Sequence, residues 1–423
     1  SFAVDHPAGE PVKVVDTDNA EFWLQGSAIF PEQPKGFTQL QLNTSEQTKG
    51  PEASVLSALW VDLYRQQQTT LLTEASIAGM NASVSPSFGI QMTFSGFTDK
   101  QPELIKRSLE ALRIEPSEEE FIQAVDRFTR GLENSRFGFP VRQLFPAIRR
   151  LTQTGAFNQE DLLQAANAAT LEALSGHIEQ QLSTAYVRGY RFGNYSEEDV
   201  QSLADLIARV LPNRSGDTYT RAATYAPQPG STLVYQENLP VEDLGMAYLF
   251  AAPKASIENV AKGELLAAHL SNRAFNQLRT EEQLGYAAGG FATQLGDHPM
   301  VGFYIQTPVK APVAMLERFD DYRAEFASDL EALEQAEFES IKAGVLTDLT
   351  QPPKNLGEEA GPFLIDWNRE RYNFDTRTRL IAAVEQVTLD AVRDYYAETV
   401  MTEAASRVLV QLKGTAFADE PFA

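Results

Sequence analysis

The chain has 423 residues, with 58 acidic against 35 basic side chains, a net charge of −23, and no cysteine. That charge disfavours phosphate backbones and anionic lipid, which need clustered Lys and Arg to release counterions, so neither a nucleic-acid nor a membrane partner is expected. Lack of cysteine excludes disulfides, thiolate catalysis and Cys-ligated zinc, and the length calls for two domains of about 200 residues.

Residues 1–15 carry no basic n-region and no apolar h-region, so they are not read as a signal peptide. TQLQLN, from Thr38, alternates polar and apolar residues and predicts a strand. Leu56, Leu59, Leu63 and Tyr64 follow at helical spacing. FGIQMTFSG, from Phe88, sets Ile90, Met92 and Phe94 on one face of a half-covered strand. Ser117 and Glu120 have capping-box spacing before the stripe Phe121, Val125, Phe128 and Leu132. One helix is predicted through DLLQAANAATLEALSGHIEQQL, then a strand through AYVRGYRF and a last helix before Leu211.

The order then repeats. TLVYQ from Thr232 and MAYLFAA from Met246 read as strands, Ile257–Leu278 as a helix, and VGFYIQT from Val301 as the counterpart of the strand at Phe88. Met315, Phe319, Tyr322 and Phe326 form another stripe. EFESIKAGVLTDL from Glu337 echoes EFIQAVDRFTRGL from Glu120, VTLDAVRDYY echoes ATLEALSGHI, and RVLVQL closes the second copy. Several echoes in one order argue for duplication. The expected organisation is a first α+β repeat over 1–211, a connector rich in Pro, Gly, Ser and Thr over 212–231, and a second α+β repeat over 232–423. Without strict strand–helix alternation or a Gly-rich phosphate loop, each repeat should hold a largely antiparallel sheet packed by helices.

The screen for chemistry is mostly negative. Four histidines, His6, His177, His269 and His298, offer no i, i+4 pair for a helical zinc site. His269 reads as a packed or surface residue, His177 as a mid-helix residue and His298 as a turn residue. No G-x-S-x-G elbow, dinucleotide fingerprint or P-loop is present. What survives is FNQLRTEEQLGYAAGG, from Phe275. Its Arg279 and Tyr286 are both donors and suit a peptide carbonyl or the oxyanion formed when that carbonyl is attacked. Spacing alone leaves an alternative open, in which Arg279 pairs with Glu281 or Glu282 and Tyr286 is a core aromatic. The glycine-rich AAGGFATQLGDHPM that follows predicts a looser strand edge.

The same stretch closely resembles the C-terminal half of the pitrilysin and insulin-degrading-enzyme family of zinc metalloendopeptidases. So do SPSFGIQMTFSGFTDKQPELI (Ser85–Ile105), QPPKNLGEEA (Gln351–Ala360) and RYNFDTRT (Arg371–Thr378). FWLQGSAIFPEQPKG from Phe22 and VYQENLPVEDLGMAYLF from Val234 extend the likeness over nearly the whole chain. The resemblance implies four homologous α+β domains paired into two halves around a peptide-sized chamber. The first half carries H-x-x-E-H, which this sequence lacks, so the chain corresponds to domains three and four. It further implies that Arg279 holds a substrate main-chain carbonyl, Tyr286 donates to the oxyanion or the catalytic glutamate, and Phe275 lines an apolar subsite. No cofactor is expected in this segment, zinc being held by the full-length enzyme. The expected partners are the N-terminal zinc-binding half, in the same or a separate chain, and peptide substrates; the segment should be inactive alone. Pitrilysin-like relatives favour the periplasm over the cytoplasm. The competing expectation is a catalytically silent peptide-binding or scaffold subunit of the same fold.

Overall fold

The computed structural model describes residues 9–212, 214 and 218–423. In chain order the first half contains β1 (Val12–Thr17), β2 (Ala20–Gln25), β3 (Lys35–Asn43), α1 (Pro51–Gln67), α2 (Thr69–Ile77), β4 (Asn81–Ser87) and β5 (Gly89–Phe97). It continues with α3 (Gln101–Glu110), α4 (Glu118–Ser135), α5 (Pro140–Thr152), α6 (Gln159–Ala168), α7 (Leu171–Thr184), β6 (Tyr186–Gly193) and α8 (Glu197–Val210). The second half contains β7 (Thr232–Asn238), β8 (Leu244–Ala251), α9 (Ile257–Ala274), β9 (Ala287–Leu295), β10 (His298–Thr307) and α10 (Pro312–Ala332). It ends with α11 (Gln335–Thr350), α12 (Leu356–Asn368), α13 (Thr376–Gln386), α14 (Leu389–Tyr396) and β11 (Ser406–Lys413).

Two sheets result, ordered β1-β2-β6-β3-β5-β4 and β7-β11-β8-β10-β9. Their connectivity is the same once β1 is set aside. In each, one parallel pair, β2 with β6 or β7 with β11, is followed by antiparallel neighbours only. Both domains are therefore α+β with a largely antiparallel sheet. The alternation read at Ile90, Met92 and Phe94 places all three in the core, at 1% exposure or less. The capping box forms as well, Ser117 N donating to Glu120 at 2.7 Å. One expected helix is two: the chain breaks at Ala169, whose backbone is extended, and Thr170 caps α7 by accepting from Ala173 N.

The chain divides into two compact units that do not follow its midpoint. One takes the chain up to Leu132, Phe157–Ala222 and Pro353–Phe374; the other takes Glu133–Ala156, Ala223–Pro352 and Asp375–Ala423. Each unit thus combines one half's sheet with a helix drawn from the other half. In the second unit, Met246, Tyr248 and Phe250 of β8 join the core beneath α9 and α10, while Ala247, Leu249 and Ala251 join Leu144, Ala147 and Ile148 of α5. Covering both faces makes β8 a continuous apolar run rather than an alternating one. In the first unit the arrangement recurs. Phe22, Leu40 and Met92 face the core of α1 and α7, and Trp23, Tyr190 and Phe192 pack on Ala360 and Trp367 of α12. The carboxylate of Glu359 fixes that helix, accepting from Ser27 Oγ at 2.6 Å and Ala28 N at 2.8 Å.

His177 is buried on α7 with Nε2 2.9 Å from Ser57 Oγ, and burial lowers its imidazole from 6.5 to about 4 against the opposing charge of Glu46. Because the folded value lies below the unfolded one, the stability it contributes is complete above the unfolded value and drains away as pH falls toward the folded one. That window amounts to about 3 kcal/mol. Wild type should therefore lose more unfolding temperature than His177→Gln between about pH 7 and about pH 4.5; equal losses in the two proteins would count against this assignment.

Candidate functional site

At Ala274 the helix α9 changes character. Phe275–Glu281 continues it as a π-helical turn, in which Glu282 N bonds back to Gln277 O at 2.9 Å and Leu284 N to Leu278 O at 2.9 Å. Wide turns of this kind are rare and recur at functional sites. Gln283 then takes φ 53°, a left-handed conformation that non-glycine residues seldom adopt. Two apolar anchors hold the segment, Leu278 and Leu284, both buried. The Thr307 hydroxyl donates to the Leu284 carbonyl. Next to it only glycine fits, because a Cβ on Gly285 would stand 1.9 Å from the Gln306 carbonyl oxygen.

With its inner residues so fixed, the segment turns Phe275, Arg279 and Tyr286 outward. Tyr286 is 73% exposed and Phe275 39%. The Arg279 guanidinium lies 4.6 Å from the centre of the Phe275 ring. Phe275 and Arg279 are in contact, and Tyr286 stands at the mouth of edge strand β9. The alternative left open by spacing does not occur. Glu282 belongs to Arg318 of α10, at 2.6 and 2.8 Å, and Arg279 has no carboxylate partner among the described residues. Nor is Tyr286 a core aromatic. Its hydroxyl and the guanidinium of Arg279 are free to meet an acceptor brought from outside.

Behind the turn lies a charged network that sequence reasoning missed. Gln277 donates to Glu325 at 2.7 Å, and Arg318 reaches Glu325 at 3.0 and 3.2 Å while holding Glu282. Hydrogen bonding from Arg318 keeps the Glu282 carboxyl below its ordinary range, opposed by partial burial. A small cleft beside it is lined by Arg273, Gln277, Tyr322, Glu325 and Asp329. The glycines that predicted a loose edge have a packing cause: a Cβ on Gly290 would meet the Leu270 side chain at 2.2 Å, so α9 lies directly on β9 there.

Among the described residues the histidines do not assemble a zinc centre. His269 is buried with Nε2 2.9 Å from Asp329, His298 opens β10 with Nε2 2.5 Å from the Ala252 carbonyl, and His177 is spent on Ser57. His6 lies outside the described residues. Among the described residues no three His, Asp or Glu side chains gather in a way that would hold a metal ion, and no helix is long and apolar enough to cross a membrane.

Comparison with known proteins bears on this geometry. A family model described as the middle or third domain of peptidase M16 matches residues 1–165, and one described as C-terminal lobe domain 4 of PQQ synthase PqqF-like proteins matches residues 265–364. Protease 3 of Salmonella typhi is 25% identical over 408 residues, covering 96% of this chain and 42% of its own. The chain thus spans less than half the length of that relative. The crystal structure of pitrilysin superposes with a TM-score of 0.93 at 24% identity, over 100% of this chain and 45% of that one. A peptidase M16 inactive domain from Pseudomonas fluorescens has the same fold, with a TM-score of 0.70 at 13% identity, and there the match covers 96% of this chain and 98% of the other.

Proposed function

We propose that this chain, which belongs to the pitrilysin and insulin-degrading-enzyme family of peptidases and corresponds to its C-terminal half, completes a peptide-hydrolysing centre whose zinc is held by other residues. The observation that carries the reading is the pair of free donors on an otherwise tied-down segment. Arg279 donates to a main-chain carbonyl oxygen of the peptide beside the scissile bond. The Tyr286 hydroxyl donates to the oxygen that gains charge as the scissile carbonyl becomes tetrahedral. Phe275 supports the guanidinium from one side and offers an apolar surface to a neighbouring substrate side chain. An arginine fork is suited to this role because its donors diverge in a fixed plane. The substrates are peptides, and the compartment favoured by pitrilysin-like relatives is the periplasm.

The test is reconstitution. Mixed with a fluorogenic peptide, the chain alone should give no chelator-sensitive cleavage, and cleavage should appear when the H-x-x-E-H half is added or fused. Robust cleavage by the chain alone would refute the proposal. The second reading, a silent peptide-binding or scaffold subunit, draws support from the Pseudomonas fluorescens domain, which matches this chain almost end to end and is described as inactive. The reading frame upstream of Ser1 separates the two: an in-frame H-x-x-E-H region favours the peptidase, a stop codon the subunit.

A further inference from the structure

Building on the site reading above, we infer that Arg318 is a positioning residue: its bridge to Glu282 and Glu325 holds the π-helical turn open and so aims Arg279. The turn is not a conformation the sequence adopts unaided. An α-helix offers better hydrogen bonding than a π turn, and the left-handed Gln283 adds a further cost. Something must hold the segment out of the α-helical register. The polar groups that do so bracket Arg279 on both sides. Toward its start, Gln277 donates to Glu325 at 2.7 Å; just past its end, Glu282 takes both a 2.6 Å and a 2.8 Å bond from Arg318. Arg318 also bonds Glu325 at 3.0 Å, so one guanidinium closes the loop.

Arg318 is well placed for this. Its side chain is only 12% exposed, and it rises from α10, a 21-residue helix whose inner face, Met315, Phe319, Tyr322 and Phe326, is wholly buried. The bridge is therefore anchored to the core rather than to another loop. An α-helical residue turns by about 100°, whereas the wide turn advances each residue by less. Relaxation to α geometry would keep Arg279 on the face of Phe275, four residues earlier, but would swing it about the axis of α9 and so change its aim relative to Tyr286. Glu281, next to the bridge, has no such partner among the described residues, which identifies Glu282 as the carboxylate that matters.

Amide exchange on the isolated chain reads the bridge without requiring activity. Arg318→Met should accelerate exchange across 278–286 by about tenfold or more while the amides of α9 before Ala274 keep their protection; unchanged exchange across 278–286 would overturn the inference. Glu282→Gln, which keeps the side chain's shape, serves as the second variant should Arg318→Met unfold, and the same outcomes apply to it. In the enzyme assembled with its zinc-bearing half, Arg318→Met should lower kcat/KM by about tenfold. In an Arg279→Ala background it should lower it no further, because a residue acting through Arg279 has nothing left to aim. Equal losses in the two backgrounds would mark Arg318 as a general stabiliser and overturn the inference. Failure of Arg279→Ala itself to reduce turnover would instead overturn the site reading, and the exchange measurement would then judge the bridge alone.

Discussion

Arg279→Ala in the assembled enzyme is expected to lower kcat/KM by about 100- to 1000-fold, and Tyr286→Phe to lower kcat by a comparable factor. In the proposed role each side chain is a donor to an oxygen that carries more charge in the transition state than in the bound peptide, and the expected loss therefore falls on the chemical step. Neither residue supports the fold: Tyr286 is 73% exposed, and Arg279 is exposed with its guanidinium over the Phe275 ring. Unfolding temperature and zinc content should accordingly stay at wild-type values. Arg279→Lys should rescue only part of the activity, since an ammonium is a point donor and cannot reproduce a planar fork. Steady-state kinetics with one peptide, beside metal analysis, decides the matter. Wild-type turnover in both Arg279→Ala and Tyr286→Phe would remove these residues from the chemistry.

The largest effect on stability should come from Arg188→Met, at about 3–5 kcal/mol. Arg188 is fully buried in β6, its Nε 2.5 Å from Glu21, with further bonds to the Trp367 carbonyl at 2.9 Å and the Tyr372 hydroxyl at 3.2 Å. Its guanidinium is sandwiched 4.0 Å from the Tyr219 ring and 4.1 Å from that of Trp367. Methionine fills much of the volume but leaves the buried Glu21 carboxylate with Lys13 Nζ, 3.4 Å away, as its cationic partner, and a buried charge that loses its close partner costs far more than the pair contributes. Adding Glu21→Leu to Arg188→Met should recover a substantial part of the loss. Urea unfolding of the three proteins tests this; a single variant as stable as wild type would show that the cluster is not the keystone of that core.

Much of the scaffold was legible because burial on one face leaves a period behind. β5 and α10 kept theirs, and Met315, Phe319, Tyr322 and Phe326 are all at 1% exposure or less. Where both faces are covered the period vanishes: β2 is buried along its whole length and passed unread as a strand. Helices α5 and α12 passed unread for another reason. Each carries an interior proline, Pro146 and Pro362, which argues against a helix when only the chain is in view. At the site, Phe275, Arg279 and Tyr286 were singled out by residue type and family likeness, whereas spacing left Glu281 and Glu282 as rival partners for the arginine. The partner that resolves this, Arg318, lies 36 residues beyond Glu282, and no local pattern joins them. The π turn is equally silent in sequence, because its residues would also suit an ordinary helix.

The borrowed helices α5 and α12 govern the order in which the molecule can be completed. The polypeptide changes units five times, after Leu132, Ala156, Ala222, Pro352 and Phe374. On the ribosome, Trp23, Tyr190 and Phe192 remain without this cover until α12, which follows four of the five strands of the other unit's sheet, emerges. Vectorial, one-unit-at-a-time maturation is closed to this chain, and the nascent product carries a sticky aromatic face while the residues between β6 and α12 are made. Severing the polypeptide at the connector would likewise give two pieces of which neither is self-sufficient, each waiting for a helix the other holds.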